Sequence, residues 1–303
     1  MTTDTAEDLP LPGGDVPVEA VPGEDERPAS RPGLSPSRAN DFAQCGLLYR
    51  YRSVDRLPEP PSAAAARGTL VHAVLERLFD LPSGARTPEA ARQMLPGAWQ
   101  ELRGRAPAYA ELFGTEADEA AWLTSAEGLL ATYFTLEDPN RLEPEARELA
   151  VSLDLDDGPQ LRGIVDRLDV APNGWVRVVD YKTGRSPRAG YEGQALFQMR
   201  FYAYVIWRTR GVLPRALQLE YLADGQVLRH EPTEAEMATL EARVRALWSS
   251  IQDSARTGTW LPRPSPLCDW CSFKAQCPAF GGTPPPLDDD AVERATGVRP
   301  VRP

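Results

Sequence analysis

Val178-Val179-Asp180-Tyr181-Lys182-Thr183-Gly184 is the stretch on which the reading of this chain turns. It follows Pro172-Asn173-Gly174, a hairpin signal, so residues 175–182 read as a strand. With a side-chain period of two, Val176, Val178, Asp180 and Lys182 share one face of that strand. Lys182 is one of two lysines among 33 basic residues. Arginine therefore does nearly every job that a generic positive charge can do. A lysine retained here suggests a role for a compact, mobile ammonium of tunable pKa, placed beside an acid.

Working outward, Asp166 stands in Gly163-Ile164-Val165-Asp166-Arg167-Leu168-Asp169. Residues 160–170 read as the preceding strand. Before it, Val151, Leu153 and Leu155 alternate into an Asp156-Asp157-Gly158 turn. Two acids and a lysine on adjacent strands form a constellation suited to metal-assisted phosphodiester cleavage. A lone D-x-K triplet, by contrast, is more often an ordinary surface ion pair. Upstream, Ser35-Pro36-Ser37 opens a helix carrying Phe42, Cys45, Leu48 and Tyr49. Helical spacing over 67–80 places His72 on a half-buried helix, and 88–136 read as helical with breaks near Gly104 and Gly114. Downstream, a helix over 193–210 puts Gln194, Gln198 and Tyr202 on one stripe. Strands at 216–222 and 226–231 and a helix at 233–255 complete the body.

The chain has 303 residues, 42% of them hydrophobic, and a net charge of −11. No apolar run approaches the roughly 18 residues of a membrane span, and no basic-then-apolar leader is visible; the expected location is the cytoplasm, with no membrane partner. Residues 1–30 hold eight acids and one arginine, and 281–303 hold four acids and three arginines. Removing both leaves 29 basic and 32 acidic residues in 31–280. Within that body, 185–215 carries six arginines against one acid. The overall charge therefore leaves room for a local arginine field that meets phosphates. Residues 1–33 and 281–303 are expected to be disordered tails around a single domain at 34–280.

Four segments in this order, Gly68-Thr69-Leu70-Val71-His72, Gly163-Ile164-Val165-Asp166, Asp180-Tyr181-Lys182-Thr183-Gly184 and Gln198-Met199-Arg200-Phe201-Tyr202, resemble the PD-(D/E)XK nucleases of RecB type. That group includes CRISPR-associated exonucleases and the AddB nuclease domain. The resemblance implies an α/β fold with a restriction-endonuclease-like core: a mixed central sheet flanked by helices, an N-terminal helical region and a C-terminal cysteine-bearing tail. It implies a metal-dependent deoxyribonuclease acting on DNA ends or single strands in repair or recombination. His72, Asp166 and Asp180 become ligands of Mg²⁺ or Mn²⁺. Lys182 activates water and offsets charge on the phosphate, and Gln198 and Tyr202 orient the lysine or the DNA. Glu148 is the nearest match to the family's variable carboxylate, with a strand-edge surface acid as the alternative.

All four cysteines fall in one pattern, Cys45 with Cys268-x₂-Cys271-x₅-Cys277-Pro278. A reducing compartment disfavours disulfides, which leaves zinc or an iron–sulfur cluster. One distant cysteine and a triplet ending in Cys-Pro suit a cubane better than the paired knuckles of zinc. The pattern also resembles the [4Fe–4S] staple of AddB and the CRISPR-associated exonucleases. Trp260 and Trp270 are expected to shield it from water. No lysine stands in G-x-x-x-x-G-K-[ST], so any helicase would be a separate partner. The rival readings are a non-catalytic DNA-binding module of the same fold and a zinc-stapled scaffold.

Overall fold

The computed structural model describes residues 31–301, apart from 189 and 191. The first expected tail lies outside the described residues except at its end, where Gly33 begins a short strand, β1 (Gly33–Leu34). Helix α1 (Pro36–Gln44) starts where Ser35 Oγ accepts the Arg38 N–H at 3.3 Å, with Pro36 in the first turn. It stops at Cys45, whose backbone is extended. The single helix expected through Tyr49 is therefore two, and α2 (Gly46–Tyr49) runs on into a π-helical turn, Arg50–Val54.

Helices α3 (Ala63–Leu78), α4 (Pro88–Arg105) and α5 (Glu116–Leu136) each begin at a hydroxyl cap, from Ser62, Thr87 and Thr115. Then come β2 (Ala146–Asp154), β3 (Gln160–Val170), β4 (Val176–Lys182), α6 (Gly193–Arg210), β5 (Ala216–Tyr221) and β6 (Gln226–His230). Helix α7 (Glu234–Thr257) opens on a Thr233/Glu236 capping box and closes at Gly258 in the left-handed conformation.

The strands form one mixed sheet, in the order β1-β3-β4-β5-β6, with β2 along the other edge of β3. β4 and β5 run parallel, with α6 as their crossover, while β3 is antiparallel to both β2 and β4. Each face of the sheet carries a core. On one, α1, α2, α6 and α7 cover Leu161, Val165, Leu168, Val178 and Leu219. On the other, α3, α4 and α5 cover Val179, Tyr181 and Leu222. This is the expected α/β arrangement, a restriction-endonuclease-like mixed sheet flanked by helices.

The alternation of β3 slips once. Val165 packs into the first core and so does Leu168, three residues later, where strict alternation would have placed Arg167. Its neighbour β2 slips opposite: Leu149, Val151 and Leu153 face the first core, and so does Ala146. The slip lies at Glu148 and Asp166.

The C-terminal segment corrects a second expectation. Within the segment expected to be a disordered tail, α8 (Asp289–Thr296) forms, capped by Asp288. Val292 and Thr296 are fully buried, and Gln252 of α7 donates to the Thr296 carbonyl at 3.3 Å. Arg50 reaches the Pro285 carbonyl at 2.5 Å, and the Tyr51 hydroxyl reaches that of Gln276 at 2.8 Å. An acidic, proline-bearing composition hid one strongly amphipathic turn pair with a place to dock.

Candidate active site

Continuing the two ladder registers, 147↔167 and 149↔165 on one side and 167↔179 on the other, places Glu148, Asp166 and Asp180 in one row across β2, β3 and β4. The row falls at the slip. Glu148 has φ +44°, a left-handed conformation that few side chains adopt. Asp166 uses Oδ2 to accept the Tyr181 N–H at 2.7 Å.

His72, on α3, approaches from the second face. Its Nε2–H donates to the Tyr181 carbonyl at 2.9 Å, which leaves Nδ1 turned toward the acids and able to ligate a metal once deprotonated. Nδ1 lies 3.5 Å from Asp166 Oδ2 and 3.8 Å from Glu148 Oε1. Among the described residues, His72, Glu148 and Asp166 are the group whose ligand atoms all lie within 4.8 Å of one another. Burial alone would lower the imidazole; the nearby carboxylates of Glu148, Asp166 and Asp180 overcome it and raise His72 to about 9. Burial, and then repulsion from Asp180, push Asp166 up to about 7. A divalent cation among these donors would relieve that crowding. Two carboxylates and an imidazole suit a hard ion with open positions for water and phosphate, so the residues present fit the metal that the sequence implied.

Asp180 and Lys182 lie on the α6 side, 2.7 Å apart from Oδ2 to Nζ. The Gln198 amide joins them: Oε1 accepts from Lys182 Nζ at 2.9 Å, and Nε2 donates to Asp180 Oδ1 at 2.9 Å and to the Tyr202 hydroxyl at 3.1 Å. Asp180 is thus turned to the lysine, while Glu148 completes the converging donor set. Tyr202 can pack against β3 only because residue 163 is glycine. A Cβ there would lie 2.6 Å from a carbon of the Tyr202 ring, which explains the glycine three residues before Asp166.

Sequence reading left the role of Glu148 open and gave none to Arg167 or Tyr181. The register across β2 and β3 is the signal that would have placed Glu148.

The four cysteines, none disulfide-bonded, line one cavity with Leu48, Tyr51 and Phe273. Cys45 sits in the break between α1 and α2, and its sulfur accepts the Arg263 N–H at 3.4 Å. Cys268 accepts the Ser265 N–H at the same distance. Burial, with the Cys268, Cys45 and Cys277 sulfurs close by, raises the Cys271 thiol. The two tryptophans part company here. Trp260 is buried and stacks on Tyr49 at 5.8 Å, whereas Trp270 is 79% exposed.

No helix among the described residues is long and apolar enough to cross a membrane. Residues 33–278 match the family model of the PD-(D/E)XK nuclease superfamily. Gene 69 protein of Mycobacterium phage L5 is 24% identical over 287 residues, covering 81% of this chain and 96% of the phage protein. Gene 69 protein of Mycobacterium phage D29 is 24% identical over 267 residues, with the same coverages of 81% and 96%. The crystal structure of a candidate exonuclease from Eubacterium rectale is similar at a TM-score of 0.47 and 14% identity, over 70% of this chain and 77% of that one.

Proposed function

Because the chain belongs to the PD-(D/E)XK nuclease superfamily, we propose that it is a divalent-metal-dependent deoxyribonuclease acting at DNA ends or on single strands. The observation that carries this reading is the meeting of two groups at one row of the sheet: the His72–Glu148–Asp166 donors and the Asp180–Lys182–Gln198 network. His72, Glu148 and Asp166 would hold Mg²⁺ or Mn²⁺, with Asp180 beside them. Such an ion, when bound, polarises a phosphate oxygen and makes water more acidic. Lys182 orients the attacking water or takes its proton, and its charge offsets the charge that builds on the phosphate. Gln198 fixes the ammonium by accepting from it while holding Asp180. In this reading Asp166 and His72 are aimed by the Tyr181 backbone.

Cleavage of end-labelled single- and double-stranded DNA tests the assignment. Asp180→Ala and Lys182→Ala are expected to lose at least about a hundredfold in rate while DNA affinity holds, since arginines supply the phosphate contacts. Lys182→Arg should fail as well, because a guanidinium stays protonated. Turnover like the wild type in Asp180→Ala would sink the reading.

The same reading gives Cys45, Cys268, Cys271 and Cys277 a structural [4Fe–4S] cluster. Its support is the four sulfurs around one cavity, two of them accepting backbone N–H groups. Protein purified without oxygen should carry about four irons and four sulfides per chain. One zinc and no iron would replace the cluster and leave the nuclease standing. The proposed setting is DNA repair or recombination, with unwinding supplied by a partner helicase.

A further inference from the structure

The β3–β4 ladder runs from Val170↔Val176 to Arg167↔Val179 and stops one step short of Asp166 and Asp180. Two other ties join the strands from there. One is the Tyr181 N–H to Asp166, at 2.7 Å. The other is Arg167, whose NH1 donates to the Tyr181 hydroxyl at 2.6 Å. Strand alternation sends the Tyr181 ring to the face opposite Lys182, where it is buried against α3 and α5.

Arg167 has no exposed surface and is held on every side. Both guanidinium arms pair with Glu137, at the C-terminal end of α5, the second at 2.9 Å. Its Nε lies 3.1 Å from Asp169, and its plane sits over the Phe79 and Tyr181 rings at 5.5 and 5.6 Å. Desolvating such a group is costly, and an apolar side chain of similar volume commonly does as well for stability. An apolar side chain could not, however, hold the Tyr181 hydroxyl.

Tyr181 holds two of the three residues of the donor group. Its N–H meets Asp166 and its carbonyl meets His72, so a small shift of the Tyr181 backbone, which joins the two peptide units carrying these groups, would re-aim both donors. We propose that Arg167, anchored by Glu137, is a positioning residue for the reaction: it fixes the Tyr181 hydroxyl where the ladder ends, and thereby the aim of Asp166 and His72. This rests on the nuclease reading above and gives the buried ion pair a task on the far side of the sheet from Lys182.

Tyr181→Phe is the informative variant, because it removes the hydroxyl and keeps the ring, the N–H and the carbonyl. Calorimetric titration with Mn²⁺ should show weaker binding, on the order of tenfold, the usual scale for partners that orient metal ligands. The Mn²⁺ concentration for half-maximal cleavage should rise in parallel, and the metal-free thermal midpoint should stay within a few degrees. Glu137→Gln, which loosens the anchor, should shift Mn²⁺ binding in the same direction. A merely structural role would lower the midpoint and leave Mn²⁺ affinity untouched. Wild-type Mn²⁺ affinity in Tyr181→Phe, with an active parent enzyme, overturns the positioning role alone. A parent that neither binds Mn²⁺ nor cleaves DNA overturns the nuclease reading and this inference with it.

Discussion

At the scale of single residues, the backbone of Glu148 is the clearest sign of a site under constraint. A left-handed carboxylate residue in mid-strand costs about 1–2 kcal/mol, and such strain persists where the surroundings hold it. Replacing Glu148 by glycine and by alanine separates backbone from side chain. In an ordinary strand the alanine variant is the more stable, since glycine loses more freedom on folding. At φ +44° the order should invert, with Glu148→Gly more stable than Glu148→Ala by about 1 kcal/mol in urea denaturation. Both variants should need more metal for cleavage. Alanine equal to or better than glycine would show that the strain is absent. Asp180 and Lys182 were legible in the sequence because lysine is scarce and a period of two puts them on one face. Glu148 was legible only as a candidate carboxylate and Arg167 not at all, because their roles depend on which residue of another strand or helix lies opposite.

At the scale of elements, helix starts have a local cause, which was read at Ser35-Pro36-Ser37 and missed before α3, expected from residue 67 and found to begin at Ala63. Ser35, Ser62, Thr87, Thr115 and Thr233 are hydroxyl caps, and each satisfies an orphan N–H of the turn it opens. The break at Cys45, the π-helical turn after Tyr49 and the slip at Glu148–Asp166 were not legible. Each is imposed by packing against distant chain rather than by local preference. Helix α8 belongs with them: eight residues with little intrinsic stability, held by a docked apolar face. Ending the chain after residue 283 should remove it and expose the surface it covers on α7 and the π-helical turn. Losing one fully buried valine contact is worth about 1.5–3 kcal/mol, so the thermal midpoint should fall by roughly 3–12 °C. An unchanged midpoint would show that α8 is only loosely attached.

At the scale of the whole molecule, stability carries a pH dependence set inside the sheet. Glu220, on β5, is fully buried and accepts from Gln218 Nε2 at 2.5 Å. Burial, and then the charge of Glu137, raise it to about 7, against about 4.3 in an unfolded chain. Between those values the folded state binds more protons, so this group's contribution to stability falls as pH rises and is most unfavourable above 7. Glu220→Gln should therefore stabilise the fold by about 3 kcal/mol at pH 8 and by only about 1 kcal/mol at pH 5, measured by denaturant unfolding. Equal gains at both pH values would count against a buried, protonated Glu220. The long reach between Tyr51 and Gln276, 225 positions apart, has a consequence for biosynthesis. At about 5–20 residues per second, a ribosome needs roughly ten to fifty seconds to make the second partner after the first. Through that interval α2 and the turn after it emerge without the surface they finally cover, so their apolar side chains are open to chaperones or to neighbouring nascent chains. Closure of this domain is then the capture of an early segment by a late one.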